Sequence, residues 1–186
     1  MQSLIGVVAA ASFAFVGTMF DNFFAFASQL VATAPERHAR VSWAHAISIG
    51  VLVLIAAGVG SVLVSVPLAL VGVLAIAPWA LAWHAFKNPI VRQQHRRGIV
   101  TTFALTFSLG GDNIAVWVPL LRANGVAHGV LTVATFAAWE LIFVVFAQAL
   151  AGHEKVVAWG QRFAPRVVPW LYVALGFVIL VECHTI

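Results

Sequence analysis

Of the 186 residues, 62% are hydrophobic and 9% are charged, and the mean hydropathy is +1.01. A soluble domain is roughly a quarter charged and under half apolar, and a core this small cannot bury the surplus. This sets aside a soluble enzyme, a disordered chain, a nucleic-acid module despite the net charge of +4, and, with one cysteine, a disulfide scaffold. An all-α integral membrane protein, seated in the lipid bilayer, remains. Apolar runs predict about six transmembrane helices, at 8–31, 43–64, 67–86, 99–121, 129–151 and 168–183. A helix needs about 20 apolar residues to cross, whereas barrel strands are about 10 residues long and alternate in polarity. The opening MQSLIGVVAAASF has the look of a signal peptide, but no Lys or Arg precedes Arg37, so it reads as the start of a retained span. Pro67 and Pro169 fall where spans 3 and 6 begin, the position that proline tolerates best.

Charge sets the expected orientation. The loops after spans 1, 3 and 5 carry Arg37, Arg40, Lys87, Arg92, Arg96, Arg97, Lys155, Arg162 and Arg166, and the other side carries only Arg122. By the positive-inside rule those loops face the cytoplasm and both termini face outside. Trp43, Trp159 and Trp170 suit the membrane interfaces.

An internal echo divides the chain. Span 1 contains FVGTMFDNFFAF and span 4 contains FSLGGDNIAVWV, each with an Asp-Asn pair among small or hydroxyl residues. The expected organisation is a first three-helix repeat at 1–86, a basic cytoplasmic loop at 87–98 and a second three-helix repeat at 99–186. Three crossings separate the two pairs, so the repeats are inverted, as in secondary transporters.

Three of the six acids, Asp21, Asp112 and Glu140, fall near the middle of spans. Each costs at least about 2.5–3.5 kcal/mol to insert there. No Lys or Arg lies at that depth, so a proton or a bound cation must neutralise them. Asn22 and Asn113 add amide oxygens of the kind that hard-cation sites use. Gly110, Gly111 and Pro119 weaken the helix around Asp112. The expected metal ligands are Asp21, Asn22, Asp112, Asn113 and Glu140, with Thr18, Ser108 and His45 as secondary candidates. The metal is substrate, and no resident cofactor is expected. Glu182, Cys183 and His184 read either as a metal-catching patch or as the end of span 6. No Ser-His-Asp set, HExxH or phosphate loop is present, which points away from an enzyme.

GGDNIAVWVPLL at 110–121 resembles the fourth-span signature of the cadmium-resistance transporter family (CadD-like), part of the LysE superfamily of exporters. FVGTMFDNFFAF, FAQALA at 146–151 and LYVALGFVILVECHTI are similar to its first, fifth and closing helices. The resemblance implies a small multi-pass protein of the bacterial plasma (inner) membrane that confers resistance by exporting divalent metal. Asp21, Asp112 and Asn113 are the positions that carry over. The family pattern departs at AHAISIG in span 2 and at Leu109, where some members have Cys, and Glu140 is outside it. Cadmium favours thiolate, and the chain offers only Cys183, Met1 and Met19.

The expected function is therefore ion-coupled efflux of a small cationic substrate, a divalent metal, by proton antiport. An exporter of a cationic amino acid on the same fold is the alternative. A substrate of that kind also carries a carboxylate, and no buried Lys or Arg is at hand to meet it. A non-transporting membrane subunit is the other alternative, but it has no need of three midplane acids. Six short helices are few to enclose a pathway, which leaves a homodimer open. No nucleic-acid partner is expected.

Overall fold

The computed structural model describes residues 3–87, 102–103, 106–107 and 110–183. The expectations for Ser108, for His184, for nearly all of the basic loop at 87–98 and for much of the span at 99–121 fall outside those residues. Among the described residues there is helix and no strand. Helix α1 runs Leu4–Val31, α2 His38–Val62, α3 Leu68–Val71, α4 Ile76–Lys87, α5 Gly111–Leu150 and α6 Glu154–Glu182. Single 3-10 turns lead into α2, follow it, and join α3 to α4. Five helical stretches among the described residues are long and apolar enough to cross a membrane: Leu4–Val31, Pro35–Ser65, Leu68–Lys87, Gly111–Leu150 and Glu154–Glu182.

The polar ends are tied locally. Ser3 caps α1 by accepting the Gly6 N–H at 3.1 Å. At the other end His38 Nε2 lies 3.0 Å from the carbonyls of Leu30 and Thr33, where the last turn of α1 runs out. Arg122 does the same for the end of α2. Its Nε donates to the Leu63 carbonyl at 2.7 Å, and a terminal nitrogen donates to those of Val64 and Val66 at 3.0 and 2.9 Å. The one cation expected on the outer side is thus a helix cap.

Although α5 is 40 residues long, it is two helices. Gly125 has φ 61° and ψ −171°, a conformation open to glycine and strained for other residues. Asn124 Nδ2 donates to Thr132 Oγ1 at 2.8 Å, although eight residues of straight helix span about 12 Å. The rings of Trp117 and Phe136 lie 5.0 Å apart. The arms 111–124 and 126–150 therefore fold back on each other as a hairpin with its tip at Gly125.

The sixth element departs from expectation. α6 starts at Glu154, not near 168, and both Pro165 and Pro169 lie inside it. In the sequence, Lys155, Arg162 and Arg166 read as a loop between spans 5 and 6. Yet Val157, Gly160, Ala164, Val168, Tyr172, Leu175 and Ile179 are buried at helical spacing, while Arg162 and Arg166 point outward. That stripe holds the segment helical through its prolines. Pro67 stands as expected, just before Leu68 at the start of α3.

α5 packs along α1 and α2, and α6 packs along α1 and α4, while α1 and α2 barely touch. α1 is thus held between the hairpin and α6. Its core contacts are aromatic and small: Phe15 stacks on Trp117 at 5.7 Å, and Gly17 lies against Leu175. The outer surface carries Leu54, Ile76, Val130, Leu141 and Trp170, all more than 60% exposed, as lipid-facing side chains are.

One close approach seats the site. A Cβ at Gly176 would collide with the Trp79 indole, whose Nε1 donates to the Val173 carbonyl at 3.1 Å. Gly176→Ala should therefore push α6 off α4, one turn from Tyr172. The expected cost is about 1–3 kcal/mol, read as a lower melting temperature in detergent. An unchanged melt would mean that the indole simply turns aside.

Candidate functional site

Two polar clusters lie inside the helices. The first forms where α1 meets the first arm of α5. Met19 is fully buried, as are Asn22 one turn later and Asn113 across the interface. Asn113 Nδ2 donates to Met19 Sδ at 3.2 Å, and Asn22 Nδ2 approaches the same sulfur at 3.6 Å. The side-chain oxygens of both asparagines are buried and have no hydrogen-bond partner. One turn away along each helix, Phe15 and Trp117 stack with an interplanar angle of 4° and close the site on that side.

Successive side chains on a helix point about 100° apart. With Asn22 and Asn113 turned inward, Asp21 and Asp112 stand on the flanks of the cluster, both half-buried. Asp112 lies in the first turn of α5, behind its N-cap Gly110, where the helix dipole favours a negative charge. Gly110 and Gly111 stand at the start of α5, whereas Pro119 lies inside it without breaking it. Tyr172 of α6, the one tyrosine in the chain, donates its hydroxyl to Asp112 Oδ2 at 2.8 Å. Thr18 is buried, with its hydroxyl donating to the Ala14 carbonyl at 2.9 Å.

The second cluster joins α2 to the returning arm of α5. The His45 ring is buried, lies parallel to Phe26 at 4.1 Å, and places Nδ1 3.0 Å from Thr106 Oγ1. Its Nε2 is 3.5 Å from Glu140 Oε1. Neither Glu140 oxygen has a hydrogen-bond partner. Farther along α2, Gln148 Nε2 donates to Ser42 Oγ at 2.9 Å.

The structure thus brings Asn22 together with Asn113, and His45 together with Glu140. Among the described residues no three His, Cys, Asp or Glu side chains gather as a metal site. The expected convergence of Asp21, Asp112 and Glu140 on one ion is not met. Glu140 sits on the returning arm and meets α2, whereas Asp112 is bonded from α6. Cys183 is buried against the core.

Residues 36–186 match the family model for cadmium resistance transporters. The chain belongs to that family. The matched region holds Asp112, Asn113, Glu140, His45 and Tyr172, whereas α1, with Met19, Asp21 and Asn22, precedes it. No curated protein and no solved structure matches the chain. Membership in a transporter family and the apolar helices agree on a multi-pass membrane protein.

Sequence reasoning passed over Met19, Tyr172, Thr106 and Trp117 as partners. Two of these carried a signal. A lone tyrosine within an apolar helix needs a partner for its hydroxyl, and Met19 lies three residues before Asn22, on the same helix face.

Proposed function

We propose that the protein exports a divalent metal cation, cadmium or a related metal, across the bacterial plasma membrane in exchange for protons. The observation that supports this most is the meeting of Asn22 and Asn113 inside the α1–α5 interface, with Asp21 and Asp112 on its flanks. Two buried amides with unpaired oxygens, flanked by two acids, suit a small cation better than an anion or a neutral solute. Arg122 is engaged with backbone carbonyls and does not reach this cluster as a counter-ion. In this reading Asp21, Asn22, Asp112 and Asn113 hold the metal. Glu140 and His45 handle protons on the neighbouring arm, the charge bias fixes which face is cytoplasmic, and the inward proton gradient drives the metal outward.

The test is a resistance panel in metal-sensitive bacteria that express the protein. Growth is scored on cadmium, zinc, manganese, cobalt and a toxic lysine analogue. Protection against cadmium or another divalent metal is expected. Protection against the lysine analogue alone would overturn the metal reading.

A further inference from the structure

We propose that Met19 is a metal ligand, and that its thioether, with the side-chain oxygens of Asn22 and Asn113, makes this site prefer soft divalent cations to hard ones. The proposal deepens the metal-export reading and rests on it for the use of the site. Three observations carry it. Met19 is fully buried at the α1–α5 interface. Two carboxamides, one from each helix, converge on its sulfur at 3.2 and 3.6 Å. Both amide oxygens are buried and unpartnered. Methionine commonly fills irregular gaps among apolar side chains, and here its sulfur meets buried amides from two helices instead.

The amides explain how one cage serves with and without metal. Nitrogen and oxygen of a carboxamide are nearly the same size, so a half-turn of the group exchanges donors for an acceptor. As the amides stand, their N–H groups bond the sulfur, which engages a donor on each and leaves the oxygens idle. When each amide turns over, a neutral site appears with one soft sulfur and two oxygens. Asp21 and Asp112 on the flanks supply the negative charge. Thioethers favour soft metals, and oxygen ligands alone favour magnesium, calcium and manganese. The sulfur therefore raises affinity for cadmium and does little for manganese. Stacked Phe15 and Trp117 keep this side of the site dry, which keeps water from displacing so weak a ligand.

The experiment uses the full chain, purified in detergent, with Cys183→Ser to remove the thiol. Cadmium and manganese binding are measured by titration calorimetry, and the cadmium shell is read by X-ray absorption. Met19→Leu keeps the volume and removes the sulfur. Cadmium affinity is expected to fall at least about tenfold, as for loss of a supporting metal contact, with manganese affinity unchanged. Selenomethionine labelling needs no core substitution: labelled protein should show selenium in the cadmium shell, and labelled Met19→Leu should not. Cadmium bound by the Cys183→Ser protein through oxygen and nitrogen alone would overturn the proposal and leave the export reading standing. No cadmium binding by that protein or by the unaltered chain would overturn this proposal, and binding of neither cadmium nor manganese would overturn the export reading with it.

Discussion

Asp112→Asn is expected to abolish cadmium efflux while the protein still folds. The substitution keeps the shape of the side chain, and the Tyr172 hydroxyl retains an oxygen to donate to where Oδ2 now stands at 2.8 Å. What disappears is the charge. At about 4 Å and an effective dielectric near 20, a unit charge attracts another by about 4 kcal/mol, and a divalent ion by more. Losing even two-thirds of that amounts to about a hundredfold in affinity. No other acid takes over, because among the described residues no third carboxylate joins this cluster. The measurement is cadmium uptake into inverted membrane vesicles at matched protein levels, with a thermal melt to check the fold. Uptake equal to that of the unaltered protein would remove Asp112 from the metal site.

Glu140→Gln is expected to uncouple transport from the proton gradient and leave cadmium binding nearly intact. Export of a divalent cation climbs the membrane potential at about 2.3 kcal/mol per charge per 100 mV, so a driving ion is required. Glu140 is buried beside His45 with both oxygens otherwise unpartnered, and it makes no hydrogen bond to the amides at Met19. Glutamine fits the same space but cannot exchange a proton. In inverted vesicles with an acidified interior, cadmium uptake by the unaltered protein should rise with the imposed gradient. In Glu140→Gln the response should vanish, while calorimetric affinity for cadmium stays close to that of the unaltered protein. If the unaltered protein ignores the gradient, proton antiport is wrong, and a sodium-coupled carrier or a channel takes its place.

The helical class and the places of α1, α2 and the α3–α4 stretch were legible because runs of apolar residues longer than a bilayer needs admit few other readings. The start of α6 was hidden. Arg162, Arg166, Pro165 and Pro169 all signal a break, and the buried stripe from Val157 to Ile179 that overrides them shows only once α1 and α4 are in place. The Asp-Asn pairs were visible as a repeated motif in the wrong setting, since polar residues deep in a span are expensive. Which member of each pair faces inward was not visible. That depends on the rotation of two helices about their own axes, and tertiary packing alone fixes it. Met19 was hidden for a related reason: a methionine is unremarkable in any apolar helix until amides from two directions meet its sulfur.

The hairpin at Gly125 also acts as a ruler. On two arms that descend from one tip, residues equally far from it along the chain lie at the same depth. Asn113 precedes Gly125 by 12 residues and Glu140 follows it by 15, which places them about 18 and 22 Å down. The difference is less than one helical turn, in a hydrocarbon layer about 30 Å thick. A cation held at Asn113 and a proton held at Glu140 therefore sit at nearly the same fraction of the transmembrane field. Exchanging one for the other moves almost no charge along that field within the site, so the electrical cost of a full cycle is set by how many protons return for each metal ion and not by where the two wait.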